Sequence, residues 1–192
     1  MLTTRPEVLD FLRTRRSRPA KTLISPAPDR ETLVPILEAA ARSPDHGMLE
    51  PWRFLVLTDD ALPRLAKAAH TRTSELGEPV EKCEKSAAMF ANAPLIVTVV
   101  CTLQASQKVP EKEQILSAGA VCLSLLNAAL ASGWGANWLS GRMAFDQQFL
   151  TAELDLSTSE FVAGFIVIGT ETIEPAERPR PDIEAKTTWI IE

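Results

Sequence analysis

Two kinds of hydrophobic pattern alternate along the chain. Apolar residues spaced three and four apart predict helices, and short continuous apolar runs predict buried strands. The predicted helices cover 8–12, 33–41, 59–92, 110–133 and 146–154, and the predicted strands cover 52–58, 95–101, 136–139 and 161–169. Helices outweigh strands, so the pattern predicts an α/β or α+β fold in which one layer of sheet is flanked by helices.

Residues 1–192 are predicted to form a single domain. A chain of 192 residues lies in the one-domain range, and no internal repeat or linker divides it. Prolines at 175, 179 and 181 predict an extended arm over 174–192, which ends in the apolar sequence Trp189-Ile190-Ile191.

The 28 residues from Gln114 to Gly141 carry no charge. Small and polar residues such as Gly119 and Asn127 interrupt the stretch, and no basic clusters flank it, which disfavours a membrane-spanning helix. We therefore expect a helix buried on nearly all sides, either inside the fold or against a second subunit.

Composition excludes several functional classes. The net charge of −5 and a pI near 5.2 argue against a nucleic-acid partner. The three cysteines share no metal-ligand spacing and are interpreted as buried thiols of a cytoplasmic protein. Two histidines are too few for most zinc sites, so no metal is expected. Gly133-Trp134-Gly135 lacks the third glycine of a dinucleotide-binding fingerprint, and neither a nucleophile elbow nor a phosphate-binding loop occurs.

Positive charge is concentrated at the start of the chain. Residues 1–21 have a local charge of +4, whereas the remainder has a charge of −9. Guanidinium groups after the first helix, with the hydroxyl of Ser17, suit a compact dianion such as a phosphate monoester. The alternative is that these cations only complement the dipole at the carboxyl end of the helix.

Two other segments are candidates for a binding site. Ser43-Pro44-Asp45-His46-Gly47 forms a corner between a helix and a strand, which can present an imidazole to a flat ligand or be a plain turn. Trp138-Leu139-Ser140-Gly141 lies at the end of a strand, where the indole either lines a pocket or belongs to the core.

Read in order, these segments resemble the nitroreductase family of flavoproteins, in particular its small bacterial NAD(P)H nitroreductase branch. The resemblance rests on Arg15-Arg16-Ser17, Pro44-Asp45-His46, Pro51-Trp52-Arg53-Phe54, Ala93-Pro94-Leu95-Ile96, Val109-Pro110, Glu113-Gln114, Ser117-Ala118-Gly119, Gly133-Trp134-Gly135 with Trp138, Gly164-Phe165 and Ile168-Gly169-Thr170. No single motif is specific, but the series covers nearly the whole chain.

The resemblance implies an α+β nitroreductase-like fold, with a central, mostly antiparallel sheet and a long helix at a dimer interface. It also implies a homodimer with FMN at the subunit interface. NADH or NADPH would reduce the flavin, which would then reduce a nitroaromatic, a quinone or a similar small acceptor in a ping-pong cycle. The alternatives are a non-catalytic flavin-binding or sensing protein of the same fold and other flavin chemistry, namely dehalogenation or desaturation. The family requires no catalytic acid or base from the protein.

The resemblance also implies which residues hold the ligands. Those implied for FMN are Arg15, Arg16, Ser17, Arg42, His46, Trp138, Leu139, Ser140 and Arg180, with Arg42 and His46 contributed by the partner subunit. Those implied for NAD(P) are Ala128, Ala129, Leu130, Ala131, Ser132 and Gly133. The roles of Lys21, Glu50 and Arg178 stay open. The resemblance further implies that the long helix packs centrally and against the second subunit, where removal from water on both sides would suit Leu123, Leu126 and Leu130.

Overall fold

A computed structural model describes residues 2–58 and 60–191, which form seven α-helices and five strands. The helices are α1 (Pro6–Thr14), α2 (Arg30–Ala40), α3 (Ala61–Glu75), α4 (Val80–Ala91), α5 (Glu111–Ala131), α6 (Gln147–Leu154) and α7 (Ile183–Lys186). The strands are β1 (Leu23–Ile24), β2 (Trp52–Leu57), β3 (Leu95–Thr102), β4 (Gly135–Leu139) and β5 (Glu160–Glu171). Every predicted helix and strand is present, and the helical region 59–92 forms the two helices α3 and α4. The short strand β1 was not predicted, and the arm predicted to be extended over 174–192 contains the short helix α7.

The strands form one antiparallel sheet. Along the sheet the order is β1, β5, β3 and β2, and β4 also pairs with β5. The long strand β5 therefore joins the sheet together, because it pairs with three others. The register between β3 and β5 shifts between Val99 and Val100, so a bulge lies in the centre of the sheet.

Side chains alternate between the two faces of the sheet and build two separate cores. Phe165 and Val167 of β5 pack on the face covered by α3 and α6, whereas Ile166 and Ile168 pack on the face covered by α2 and α5. β3 is buried along almost its whole length, which is the expected result for a continuous apolar strand covered on both faces.

Local sequence signals set the helix boundaries. Asp29 caps α2 by accepting a hydrogen bond from the Thr32 backbone N–H at 2.9 Å, and Asp146 caps α6 through the Phe149 N–H at 2.8 Å. Gly133 follows α5 with a φ of +83°, a conformation that favours glycine and ends the helix.

Helix α5 has one buried face and one open face in the single chain. By length and composition it could cross a membrane, but one of its faces packs on the sheet, as the core helix of a globular protein does. The opposite face is open in the single chain, where Leu116 is 63% and Leu123 is 46% exposed. Leu126 is only 3% exposed, and it belongs to the core beside the sheet. Leu126 therefore belongs to the side of α5 that packs centrally, and burial of the opposite side against a second subunit stays a prediction.

Candidate functional site

An arginine-lined cavity of about 410 Å³ lies beside the carboxyl end of α1. α1 ends at Thr14, and the extended residues that follow bring Arg15, Arg16 and Arg18 to the cavity wall. The Nη2 of Arg15 donates a hydrogen bond to the hydroxyl of Ser17 at 2.9 Å. The structure therefore brings together the first three residues predicted to hold FMN.

Charges of both signs line this cavity: three guanidinium groups, of Arg15, Arg16 and Arg18, and three carboxylates, of Glu171, Glu174 and Glu177. Burial lowers the pKa of Arg15 below its ordinary value, and the neighbouring charges of Arg180, Arg16 and Arg18 lower it further. Arg180, predicted near the phosphate, thus lies close enough to Arg15 to repel it. Glu171 pairs with Arg18 at 2.6 Å and Glu177 pairs with Arg180 at 2.9 Å. Within the described residues, no carboxylate forms an ion pair with Arg15 or Arg16.

Two donors in this cavity have no partner. The Nε atoms of Arg15 and Arg16 are buried, and neither donates a hydrogen bond within the part of the chain that the structure describes. The other end of Arg16 donates to the backbone carbonyl of Ala176 at 3.3 Å, which ties the C-terminal arm to the cavity. Since buried donors are normally satisfied, these N–H groups fit an acceptor-rich ligand such as a phosphate.

The segment after α1 runs alongside β4. The Arg18 backbone N–H donates to the carbonyl of Ala136 at 2.8 Å, and the Asn137 side chain donates to the carbonyl of Arg18 at 2.6 Å. Gly135, at the start of β4, lines the arginine cavity, and Leu139, at its end, lines a second cavity. The segment after α1 and strand β4 therefore both run from one cavity to the other.

The second cavity is larger, at about 700 Å³, and its walls are mainly apolar. We call it the apolar cavity. A volume of this size is typical of a site for a small organic ligand. The side chains of its walls come from the 3-10 helix Ala20–Thr22, α3, α4, β4, β5 and the 3-10 helix that begins at Arg142.

Helix α4 supplies the part of this cavity that sequence reasoning missed. Lys82, Lys85, Ser86 and Met89 line the cavity, and their spacing places them on one face of the helix. In the sequence, these four residues form a stripe of mixed polarity at helical spacing. It identifies no function by itself, since the same stripe occurs on ordinary surface helices.

The predicted strand-end segment borders the apolar cavity. Leu139 and Gly141 line it, while Ser140 is exposed next to them. Trp138 points to the opposite face of the sheet and packs against Gly164, where a Cβ atom would collide with the indole ring. The glycine at 164 is therefore required by the position of Trp138, which is 38% exposed rather than a core residue.

Arg42 and His46 line neither cavity within this chain. His46 is exposed, and its Nδ1 lies 2.7 Å from the Glu113 carboxylate at the start of α5. The loop that follows contains Met48 and Glu50 at φ values of +51° and +46°, and the Asp45 carboxylate accepts the Glu50 N–H at 2.7 Å. The structure places this loop apart from the arginine cavity, so its role at a partner's site stays a prediction.

The predicted NAD(P) stretch, Ala128 to Gly133, forms the end of α5 and its cap. Leu130 and Gly133 line the arginine cavity, while the Ala129 side chain is buried in the core. The structure thus places part of this stretch beside the predicted FMN residues.

Thiols and metal ligands contribute nothing evident to the site. All three cysteines are buried, and burial raises the pKa of Cys101 to about 11 and that of Cys122 to about 12. Within residues 2–58 and 60–191, no group of three His, Cys, Asp or Glu side chains could hold a metal ion.

The sequence is similar to a protein family and to individual proteins of that family. Residues 12–170 match the family model described as "Nitroreductase family". A protein of Haemophilus influenzae named "Putative NAD(P)H nitroreductase" is 35% identical over 181 residues, which cover 94% of this chain and 96% of that protein.

Solved structures agree. A nitroreductase-like family protein from Bacillus cereus superimposes with a TM-score of 0.84 at 21% identity and covers 100% of both chains. A mutant of NfnB, an FMN and NADPH-dependent nitroreductase from Sphigopyxis sp., has a TM-score of 0.75 at 19% identity and covers 94% of this chain and 97% of its own. At these identities the similarities establish the fold.

Proposed function

The chain belongs to the nitroreductase family, an oxidoreductase family, and on that premise we propose that it is an FMN-dependent NAD(P)H oxidoreductase. Its acceptors would be nitroaromatics, quinones or similar small molecules. We also propose that it acts in the cytoplasm.

The observation that carries this proposal is the pair of cavities at the two ends of β4. FMN has a phosphate at one end and a flat, largely apolar ring at the other. The arginine cavity offers unpartnered N–H groups of Arg15 and Arg16, and the apolar cavity offers the side chains of Leu139 and Met89. Because residues 15–21 and β4 both run from one cavity to the other, a single elongated ligand can use both.

Each part of the site then has a physical task. Arg15, Arg16 and Ser17 would bind the phosphate through charged hydrogen bonds, with Arg180 adding longer-range attraction. Leu139 and Met89 would hold the ring by contact and exclude water from one of its faces. When bound, FMN would accept a hydride from NADH or NADPH and pass electrons to the acceptor. Hydride transfer requires the nicotinamide ring to lie against the flavin ring at the apolar cavity, and we propose that the remainder of the NAD(P) molecule lies near Ala128–Gly133, beside the arginine cavity.

We further propose that the active form is a homodimer. The open face of α5 exposes Ile115, Leu116 and Leu123, and neighbouring exposed apolar side chains are typical of a protein–protein contact. A second copy covering this face would also carry Arg42 and His46 toward the first copy's flavin. Leu123→Arg should give a folded monomer with reduced FMN content, measured by light scattering and absorbance. A Leu123→Arg protein that remains dimeric and flavin-loaded would contradict this arrangement.

Anaerobic spectroscopy of the purified protein tests the function. We expect a yellow protein, or one that becomes yellow with FMN, that is bleached by NADH or NADPH and recoloured by a nitroaromatic compound. A protein that binds FMN but that neither nicotinamide can bleach would support flavin storage or sensing instead. A protein that binds no FMN would overturn the proposal.

A further inference from the structure

The C-terminal arm places carboxylates in the wall of the arginine cavity. Glu174 and Glu177 line this cavity and lie on the segment between β5 and α7. Arg16 ties the same segment to the cavity, because its guanidinium donates to the carbonyl of Ala176. The cavity proposed to bind a phosphate therefore has negative charge in its own wall, on a segment that also carries Arg180.

Glu177 lies among the cations of the arginine cavity. Its carboxylate pairs with Arg180 at 2.9 Å and accepts the Arg178 backbone N–H at 2.7 Å. That hydrogen bond is the main cause that lowers the pKa of Glu177 below its ordinary value, and the charges of Arg180 and Arg16 lower it further. The carboxylate is therefore ionised at neutral pH, and it offsets part of the positive charge that would attract a phosphate.

The three carboxylates of this wall differ in the partners that hold them. Glu171 pairs with Arg18 at 2.6 Å, and the backbone of Arg18 is bonded to β4. Glu177 pairs with Arg180, three positions away on the same arm, and the two side chains are 65% and 49% exposed. An exposed ion pair of this kind is weak and is broken at little cost. Within the described residues, Glu174 forms no ion pair.

A phosphate that enters the cavity competes with Glu177. A phosphate monoester carries close to two negative charges near neutral pH, so it repels the carboxylate and attracts the same guanidinium. Pairing with Glu177 offsets the charge of Arg180 before an anion binds, when Arg180 and Arg15 repel each other. The phosphate can take over Arg180 while the pair between Arg18 and Glu171 stays in place.

We propose that Glu177 regulates the binding of FMN by competing with its phosphate for Arg180. Binding then exchanges one ion-pair partner of Arg180, a carboxylate of the arm, for another, the phosphate. This inference rests on the proposed function and adds a regulation of the phosphate site to it. In this role Glu177 weakens cofactor binding and speeds cofactor release.

Titration of the full-length protein with FMN and with riboflavin tests the inference. We expect Glu177→Gln to tighten FMN binding about threefold, because the phosphate no longer has to displace a carboxylate. Release of FMN from the holoenzyme, followed by flavin fluorescence, should slow in parallel. Riboflavin binding should stay constant, since riboflavin has no phosphate.

The matched control is Glu184→Gln. Glu184 is exposed on α7 and lines neither cavity, so its replacement removes the same charge from the arm outside the site. We expect this variant to leave the affinity for FMN unchanged. A gain as large as that of Glu177→Gln would show that the net charge of the arm matters rather than the position of Glu177, which would overturn the inference.

The Arg180→Gln protein separates an exchange of partners from simple repulsion. In that protein Glu177 has no guanidinium of Arg180 to release, so adding Glu177→Gln should change FMN affinity no more than the Glu184→Gln control does. A threefold gain that persists without Arg180 would mean that Glu177 only repels the phosphate. That result would contradict competition for Arg180.

The remaining outcomes separate this inference from the proposed function. If the protein binds FMN and NADH or NADPH reduces it, but Glu177→Gln leaves FMN affinity unchanged or lower, the inference is wrong while the proposed function stands. An equal gain for FMN and riboflavin would also overturn the inference, because the phosphate would not be involved. If the unsubstituted protein binds no FMN, the proposed function fails and the inference fails with it.

Discussion

The two cavities lie at opposite ends of β4 and are built from contrasting chemistry. The arginine cavity presents guanidinium groups with unpartnered N–H donors, and the apolar cavity presents Leu139 and Met89 within a cationic lining. The strength of hydrogen bonds from guanidinium groups depends on the charge of the acceptor. The strength of contact between a ring and apolar side chains depends on the area that is buried. The two ends of the proposed ligand can therefore be tested separately, because riboflavin is FMN without the phosphate.

The largest difference between the cavities is expected on replacing Arg16. Arg16→Ala should weaken FMN binding by about 1.5–3 kcal/mol, the range for hydrogen bonds to charged groups, because the phosphate loses a donor. Riboflavin binding should not change, since riboflavin has no phosphate. Arg13→Ala is the matched control, because Arg13 is exposed on α1 and lines neither cavity. Isothermal titration of both ligands measures the effect, and an equal loss for FMN and riboflavin would remove the assignment.

A smaller and different effect is expected in the apolar cavity. Met89→Ala removes part of the wall and should weaken both ligands equally, by about 1 kcal/mol for a half-buried side chain. The same titrations measure this loss of affinity. Thermal unfolding of the apoprotein measures how much stability the substitution removes by weakening the packing of the neighbouring core. A loss confined to FMN would show that the ring does not lie against Met89.

A change in salt concentration should affect FMN binding but not riboflavin binding, and this effect should be smaller than those of the substitutions. Raising the salt concentration from about 0.05 M to about 0.5 M shortens the screening length and should weaken FMN binding about threefold. Riboflavin binding should stay constant over the same range. An equal salt dependence for the two ligands would mean that the phosphate does not interact with the arginines.

Acidification should produce the smallest effect. The second pKa of a phosphate monoester is about 6, so lowering the pH from about 7.5 to about 5.5 removes part of one negative charge and should weaken FMN binding about twofold. The guanidinium groups remain protonated throughout, although burial lowers the pKa of Arg15. Riboflavin serves as the control, and a rise in FMN affinity at the lower pH would contradict the assignment.

The arginine cavity could be predicted from sequence because its residues are neighbours in the chain. Arg15, Arg16 and Ser17 are consecutive, and the local excess of positive charge marks them before any folding is considered. The apolar cavity could not be predicted in the same way. Lys21, Met89 and Leu139 are far apart in sequence and meet only when α4 packs beside the end of β4.

The fold was predictable for a similar reason, with one exception. Strand and helix patterns are local, so most of the elements followed from short stretches of sequence. In α5, however, apolar and small residues surround the helix, and no polar stripe marks the side that faces water. The sequence therefore could not distinguish the core residue Leu126 from the open residue Leu123.

The most direct test of the two-cavity arrangement is a crystal structure of the protein with FMN bound. We predict phosphate oxygens within hydrogen-bond distance of the guanidinium groups of Arg15 and Arg16, and the ring against Leu139 and Met89. A phosphate bound instead to Lys21 and Lys85, or a flavin that touches neither cavity, would contradict the account.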